Sequence, residues 1–428
     1  MIAAGWRKVR YEEDSWRPLQ GAIGALPANR VLRALGGLIG IVLLGVAIYS
    51  GLEGTEAPDR NFITTFVFVT VWLGFPAIAV AFGDVFQLFN PWRALSVPVG
   101  WLVRKGLGRS PSHLAYPERL GRWPAAIGLV AVVWLELIYG SGNGVAVGVE
   151  PAAIARAAIF YSVYTLAMVG LFGREKWFAN GEVFSVYFGM YGSLGKLQAR
   201  DGRLGVRKFM SGSTTWIAGA GSIAVAVASV GTTTFDGAQE GVFSGALETA
   251  SGWMADIGFG PLASGRLGAT FVLGLSVLLV ALIFSAGVRG MSSVPGAPPR
   301  RELARSFGHV LIPIAFAYLV AHYFSIFAFQ IQAQFTFLLS DPLGTGTTDL
   351  FGTAGSGIDY GLVTPELTWY VQVAALVAGH VAALALAHDR ALSIWGDYRS
   401  ATRSQYWMLA VMVAFTCFGL FLLSVTNA

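Results

Sequence analysis

Cysteine is almost missing from this chain. Its one residue, Cys417, lies in the last apolar run, which excludes an intrachain disulfide, a cysteine zinc site and an iron–sulfur cluster built within the chain. Charge is scarce as well. Only 12% of the 428 residues are Asp, Glu, Lys or Arg, about half the share of a soluble domain. No Walker loop, His-Glu-x-x-His, Gly-x-Ser-x-Gly or strand–glycine–helix dinucleotide fingerprint occurs. There is no low-complexity segment, convincing internal repeat or soluble domain. The weak alternation in runs of about ten residues that marks a membrane β-barrel is missing too.

What the chain has in abundance is apolar sequence, 55% of it, in runs of roughly 20 residues. That length crosses ~30 Å of hydrocarbon at ~1.5 Å per residue. Inside lipid each backbone amide needs a partner within its own segment, so such runs are helices. The expected fold is an all-α, polytopic transmembrane bundle forming one domain over 1–428. It has about nine spans, near 31–51, 62–86, 123–140, 152–173, 213–231, 267–288, 307–329, 367–388 and 406–425.

The basic residues test this division. Five precede the first span (Arg7, Lys8, Arg10, Arg17 and Arg30), and only Arg60 follows it. Loops 87–122, 174–212, 289–306 and 389–405 hold six, seven, four and three, whereas 141–151 and 330–366 hold none and 232–266 only Arg266. By the positive-inside rule, this unbroken alternation predicts a cytoplasmic N-terminal segment (1–30) and an outside C-terminus. It accounts for the net charge of +5 without a nucleic-acid partner. The partner expected is the lipid bilayer of a prokaryotic cell membrane. A long charged lead before the first apolar run argues against a cleaved signal peptide.

Two cytoplasmic segments read as interfacial helices. Residues 89–105 mix Trp92 and Trp101 with basic residues, and 181–197 place Phe184, Tyr187, Phe188, Tyr191 and Leu194 at helical spacing. Residues 331–340, too short to cross, read as a candidate re-entrant segment in the long outer loop 330–366.

Ionisable groups inside spans are costly in lipid and point to function. They are Asp84, Glu136, Arg156, His309, His322, His380 and His388. Counting ~1.5 Å per residue from the cytoplasmic edge puts Glu136, His322 and Gln372 at one level, ~20–24 Å in, with Tyr139 and Tyr323 nearby. His380 lies ~10 Å shallower than His322, so the two match one metal poorly unless a helix is broken or tilted. His309 and His322 share a helix but point ~140° apart, which disfavours a pair of haems. For any lone buried histidine, a hydrogen-bonded packing role is the competing account.

The outer loops are acidic. Ser340-Asp-Pro-Leu-Gly-Thr-Gly-Thr-Thr-Asp349 offers oxygen ligands for a hard cation such as Ca²⁺ but lacks EF-hand spacing, and solvated glycine turns are the favoured account. Gly231-Thr-Thr-Thr-Phe-Asp-Gly237 reads as a second polar lip directly after a span.

Four stretches carry a resemblance: Tyr116-Pro-Glu-Arg-Leu-Gly-Arg-Trp-Pro124, Val320-Ala-His-Tyr-Phe-Ser325, Ser340-Asp-Pro-Leu-Gly344, and Trp369-Tyr-Val-Gln-Val with Gly379-His380 and Ala387-His-Asp-Arg390. In these the chain resembles, from about residue 62 to 395, the actinobacterial and haloarchaeal integral membrane proteins labelled fenitrothion hydrolase-like. That resemblance implies hydrolysis of organophosphate triesters and supplies no catalytic residues to carry over.

Three functions follow as expectations. A transporter or channel for a small solute or ion would line its path with Glu136, His322, Tyr323, Gln372 and His380. A membrane-embedded hydrolase would hold a divalent metal with His322 or His380 and the carboxylates Asp236 and Asp341, and use it to activate water. A non-catalytic subunit of a larger membrane complex would suit the thin polar inventory.

Overall fold

The computed structural model describes residues 6–11, 15–107, 113–142, 145–146 and 148–426. After a short strand β1 (Arg17–Pro18), α1 runs over Arg30–Glu53 and α2 over Phe62–Phe82. Asn29 starts α1 by accepting from the amides of Val31 and Leu32, and Asn61 starts α2 by accepting from Ile63. Each side chain satisfies backbone donors that the first turn leaves open. Next come α3 (Pro91–Leu107), α4 (Trp123–Tyr139), α5 (Pro151–Phe172) and α6 (Val183–Gly192). A hairpin of β2 (Leu197–Arg200) and β3 (Arg203–Val206) follows, and β1 pairs with β3 to give the order β1-β3-β2. The second half holds α7 (Ser222–Ala238), α8 (Ser244–Asp256), α9 (Pro261–Met291), α10 (Leu311–Phe335), α11 (Pro365–Trp395) and α12 (Tyr398–Thr426). Proline at the first helical position opens α5, α9 and α11, where its missing N–H costs nothing.

Seven helical segments are long and apolar enough to cross a membrane: α1, α2, α5, α9, Arg300–Ser340 (containing α10), α11 and the Tyr398–Phe421 part of α12. The other two expected spans are the 17-residue helices α4 and α7. The second differs from expectation. The helix expected at 213–231 is interrupted, because Gly221 sits at φ 75° and α7 begins only at Ser222. It then runs through Thr232, Thr233 and Thr234 to Ala238, all of them buried. Asp236, read as part of an outer lip, is thereby drawn into the last turn of a packed helix.

Two further expectations are corrected. Residues 181–197 do not lie on a surface: Val183, Phe184, Tyr187, Phe188 and Tyr191 of α6 are all buried, with α2, α4 and α10 packed around them. An aromatic stripe at helical spacing fits a protein interior as well as a headgroup layer. Residues 331–335 are no separate re-entrant helix either. They complete α10, which breaks at Thr336 (φ −119°, ψ −104°) before a short turn over Phe337–Ser340. By contrast α3 keeps Trp101 and Leu102 exposed beside Arg104 and Lys105, as an interfacial helix would.

The core lies where α7 meets α4, α9 and α10, and where α10 meets α11. The last contact depends on Gly379, since a Cβ there would stand 2.2 Å from the Ala317 methyl carbon. At one end of the bundle the N-terminal segment is tied down. Asp389, buried in α11, accepts from the Trp6 indole and from the amides of Arg10 and Tyr11, and His388 donates to the Trp6 carbonyl at 2.9 Å. At the other end, loop 54–61 meets the loop after α10 through Thr55 N–H to Leu343 O and Phe62 N–H to Pro342 O.

A candidate polar site within the bundle

Helices α7 and α10 bring an acid, an imidazole and a phenol together. His322 Nε2 donates to Asp236 Oδ2 at 2.9 Å, and the Tyr323 hydroxyl donates to the same oxygen at 2.5 Å. Gln239 Nε2 donates to Asp236 Oδ1 at 2.9 Å. The carboxylate thus takes three donors, the condition under which a charge survives in an apolar interior. The side chains of His322 and Asp236 are 25% and 12% exposed.

Gly237 lies against the imidazole: a Cβ there would stand 3.4 Å from His322 Nδ1, an ordinary contact. With Nε2 donating to Asp236, Nδ1 is the ring nitrogen that faces Gly237. Glu136 approaches from α4, in a π-helical stretch over Leu135–Tyr139, and lies within electrostatic reach of Asp236, Tyr323 and Tyr187. Single π turns within α-helices are frequent at functional sites, although α2 also carries a π-helical stretch over Phe66–Gly74.

A second hydrogen-bonded group lies two turns back along α7. Tyr191 and Ser229 share a 2.9 Å hydroxyl contact, and the Tyr191 hydroxyl donates to that of Tyr187 at 3.5 Å. Ser229, Thr233 and Asp236 fall on one face of α7 at i, i+4 and i+7.

No family model, curated protein or solved structure matches this chain.

Of the residues expected to line a path, the structure gathers Glu136, His322 and Tyr323, and adds Asp236. Gln372 and His380 are buried along α11, and among the described residues neither is hydrogen-bonded to Asp236. His380 Nδ1 donates to Leu376 O at 2.7 Å, one turn back on its own helix, and its ring meets Tyr318 edge-on at 6.2 Å. Asp341 shapes a turn by accepting from the Gly346 amide and the Thr348 hydroxyl, both at 2.6 Å. The expected metal set of His322, His380, Asp341 and Asp236 is therefore dispersed apart from the His322–Asp236 pair. Among the described residues no three of His, Cys, Asp and Glu cluster as metal ligands.

Sequence reasoning missed Gln239, Tyr187 and Tyr191 as site groups, although i, i+4 spacing of the two tyrosines was visible. It also missed Glu182, fully buried at the start of α6. Its carboxylate accepts from the amides of Phe184 and Ser185, the Tyr161 hydroxyl and Asn90 Nδ2, anchoring α6 beneath the site.

A cavity of about 330 Å³ opens beside the other flank of α6, lined by Asp84, Gln87, Gly189, Gly192 and Ser193. Asp84 follows the last turn of α2, where Gly83 at φ 79° ends the helix. Burial pushes its carboxyl up to about 6, against the Gln87 hydrogen bonds and the Arg93 charge, which pull it down. Arg122 and Arg207, on the same cavity, are lowered to about 10 by burial, and both donate to backbone carbonyls.

Proposed function

We propose that this chain is a nine-span membrane transport protein for a small solute or ion, with its N-terminus in the cytoplasm. Its binding site centres on Asp236 and His322. The supporting observation is the partly accessible Asp236–His322–Tyr323 cluster on two helices of the bundle, with Glu136 beside it. Intramembrane acids and histidines are expensive, and where they persist they line substrate or ion pathways. The short helix α7, which presents Asp236 in its last turn, suits a transporter, whose sites form at interrupted helices. The alternation of basic loops supports the nine-span orientation.

The test is uptake of a panel of labelled ions and small solutes into proteoliposomes. Uptake by the native protein, lost in Asp236→Asn and His322→Gln, supports the reading. Uptake indistinguishable from protein-free vesicles across the panel would defeat it.

A hydrolytic reading has one observation behind it. Asp236 orients His322 as a carboxylate orients a general base, leaving Nδ1 to take a proton from water. With the resemblance to the fenitrothion hydrolase-like proteins, this calls for an assay with a chromogenic phosphotriester. Turnover that disappears in His322→Gln would favour it over transport.

A further inference from the structure

The site and the cavity at Asp84 are separated by packed side chains, yet the packing contains a line of hydroxyls and acids. On one side, Asp236 holds the Tyr323 hydroxyl and His322. On the other, Tyr191 holds Ser229 and reaches Tyr187. Glu136 is within electrostatic reach of both Tyr323 and Tyr187, and Tyr187 is within reach of Tyr323, so the two groups lie near one another with a carboxyl close to both. Tyr191 packs against Phe316 of α10 at 5.7 Å, and Tyr323 is seven residues further along that helix, ~10 Å. The same interval separates Ser229 from Asp236 on α7, so both walls of the line run in parallel.

The rings along this line leave no room for a solute. Tyr187 is 2% exposed and stacks on Trp72 at 4.7 Å, and Tyr191 is wholly buried. A close-packed column of this kind passes protons, because each hydroxyl accepts one proton on one side and gives up another on the other, with no atom displaced. At its far end α6 carries glycine where it meets Asp84: a Cβ at Gly189 would stand 3.4 Å from Asp84 Oδ2. The 330 Å³ cavity there is wide enough for water to link α6 and the Asp84 carboxyl to the surface.

We infer that the proton is a species this protein carries, along a relay from His322 and Asp236 through Tyr323, Glu136, Tyr187 and Tyr191 to Asp84. This rests on the transport reading and names its ion. Among the described residues the relay draws on Glu136 from α4, Tyr187 and Tyr191 from α6, Asp236 from α7, and His322 and Tyr323 from α10.

The experiment uses the full chain in vesicles with a pH-sensitive dye trapped inside. A potassium gradient with valinomycin supplies an inward driving force for protons. The native protein is expected to acidify the lumen at least tenfold faster than protein-free vesicles. Tyr187→Phe/Tyr191→Phe together should cut that rate tenfold or more, Asp236→Asn should abolish it, and Asp84→Asn should slow it severalfold. Ser285→Ala, whose hydroxyl only back-bonds to Ala281 on α9, should match the native rate. Each variant is compared only if it elutes monodisperse from size exclusion. An unchanged rate in the double tyrosine variant overturns the relay. Solute uptake with no acidification above protein-free vesicles overturns the relay and leaves the transport reading standing, whereas absence of both defeats both.

Discussion

Asp236 on α7 and His322 on α10 are joined by a 2.9 Å hydrogen bond between residues 86 positions apart, and Tyr323 places its hydroxyl on the same carboxylate oxygen. Removing one member of such a trio leaves the others buried with an unmet donor or acceptor. His322→Ala and Tyr323→Phe are each expected to lower stability by about 1–3 kcal/mol. In a double-mutant cycle their combined cost should fall short of the sum by more than about 0.5 kcal/mol, because both act on one carboxylate. Thermal unfolding in detergent reads this; strict additivity would show that the two hydroxyl and imidazole contacts are independent.

Gly237 lies against the imidazole. Gly237→Ala brings a methyl to 3.4 Å from His322 Nδ1, an ordinary contact, and should leave uptake within about twofold of native. Gly237→Leu overfills the space and should turn His322 off Asp236, with transport lost while the protein stays folded. Uptake and circular dichroism on the same preparations separate the two effects.

Glu182 is wholly buried and takes four donors, two of them backbone amides at the start of α6. Glu182→Gln replaces an accepting oxygen with an NH₂ facing donors, and is expected to cost about 1–3 kcal/mol. Because α6 carries Tyr187 and Tyr191, hydrogen exchange of residues 183–192 should rise together with the loss of thermal stability.

Asp84 gives a pH dependence of known sign. Burial raises its carboxyl to about 6 in the folded chain, above the ordinary value of 3.8, so the folded state holds a proton that the unfolded state has released. Its contribution is therefore fully present below pH ~4 and is lost as the pH rises toward 6, by at most on the order of 2–3 kcal/mol. Asp84→Asn, which stays neutral, should remove that part of the slope between pH 4 and 6 and be more stable than native at pH 7. Melting temperatures of both proteins across that range test it.

Asp389 holds the N-terminal segment through three donors. Asp389→Ala should free residues 6–11 from the end of α11, seen as faster hydrogen exchange of the Arg10 and Tyr11 amides and earlier proteolytic cleavage there.

Much of this protein is legible without coordinates. Helical class follows from apolar runs of membrane length, since no other backbone arrangement closes its hydrogen bonds alone. The depth reading puts Glu136, His322 and Gln372 at one level; the structure bonds His322 to Asp236, brings Glu136 within electrostatic reach of it, and gives Gln372 no such partner among the described residues. The same reading misled where composition changes along one helix. Gly231-Thr-Thr-Thr-Phe-Asp-Gly237 is too polar to look like a span, so Asp236 was assigned to a loop, yet each threonine in it is buried by neighbours. The aromatic stripe of α6 reads equally as a surface-lying face or an interior one, and only the surrounding helices bury it.

What the sequence by itself determined is therefore the presence of apolar segments of membrane length and their helical state. Only the tertiary structure decided which helices touch: that α7 turns Asp236 toward His322 rather than outward, that α11 turns His380 toward Tyr318, and that α6 is enclosed. The physical reason is that lipid and protein interior are equally apolar. A residue's own hydropathy shows that it leaves water, whereas the partner that receives its hydrogen bond is supplied by another helix far away in sequence.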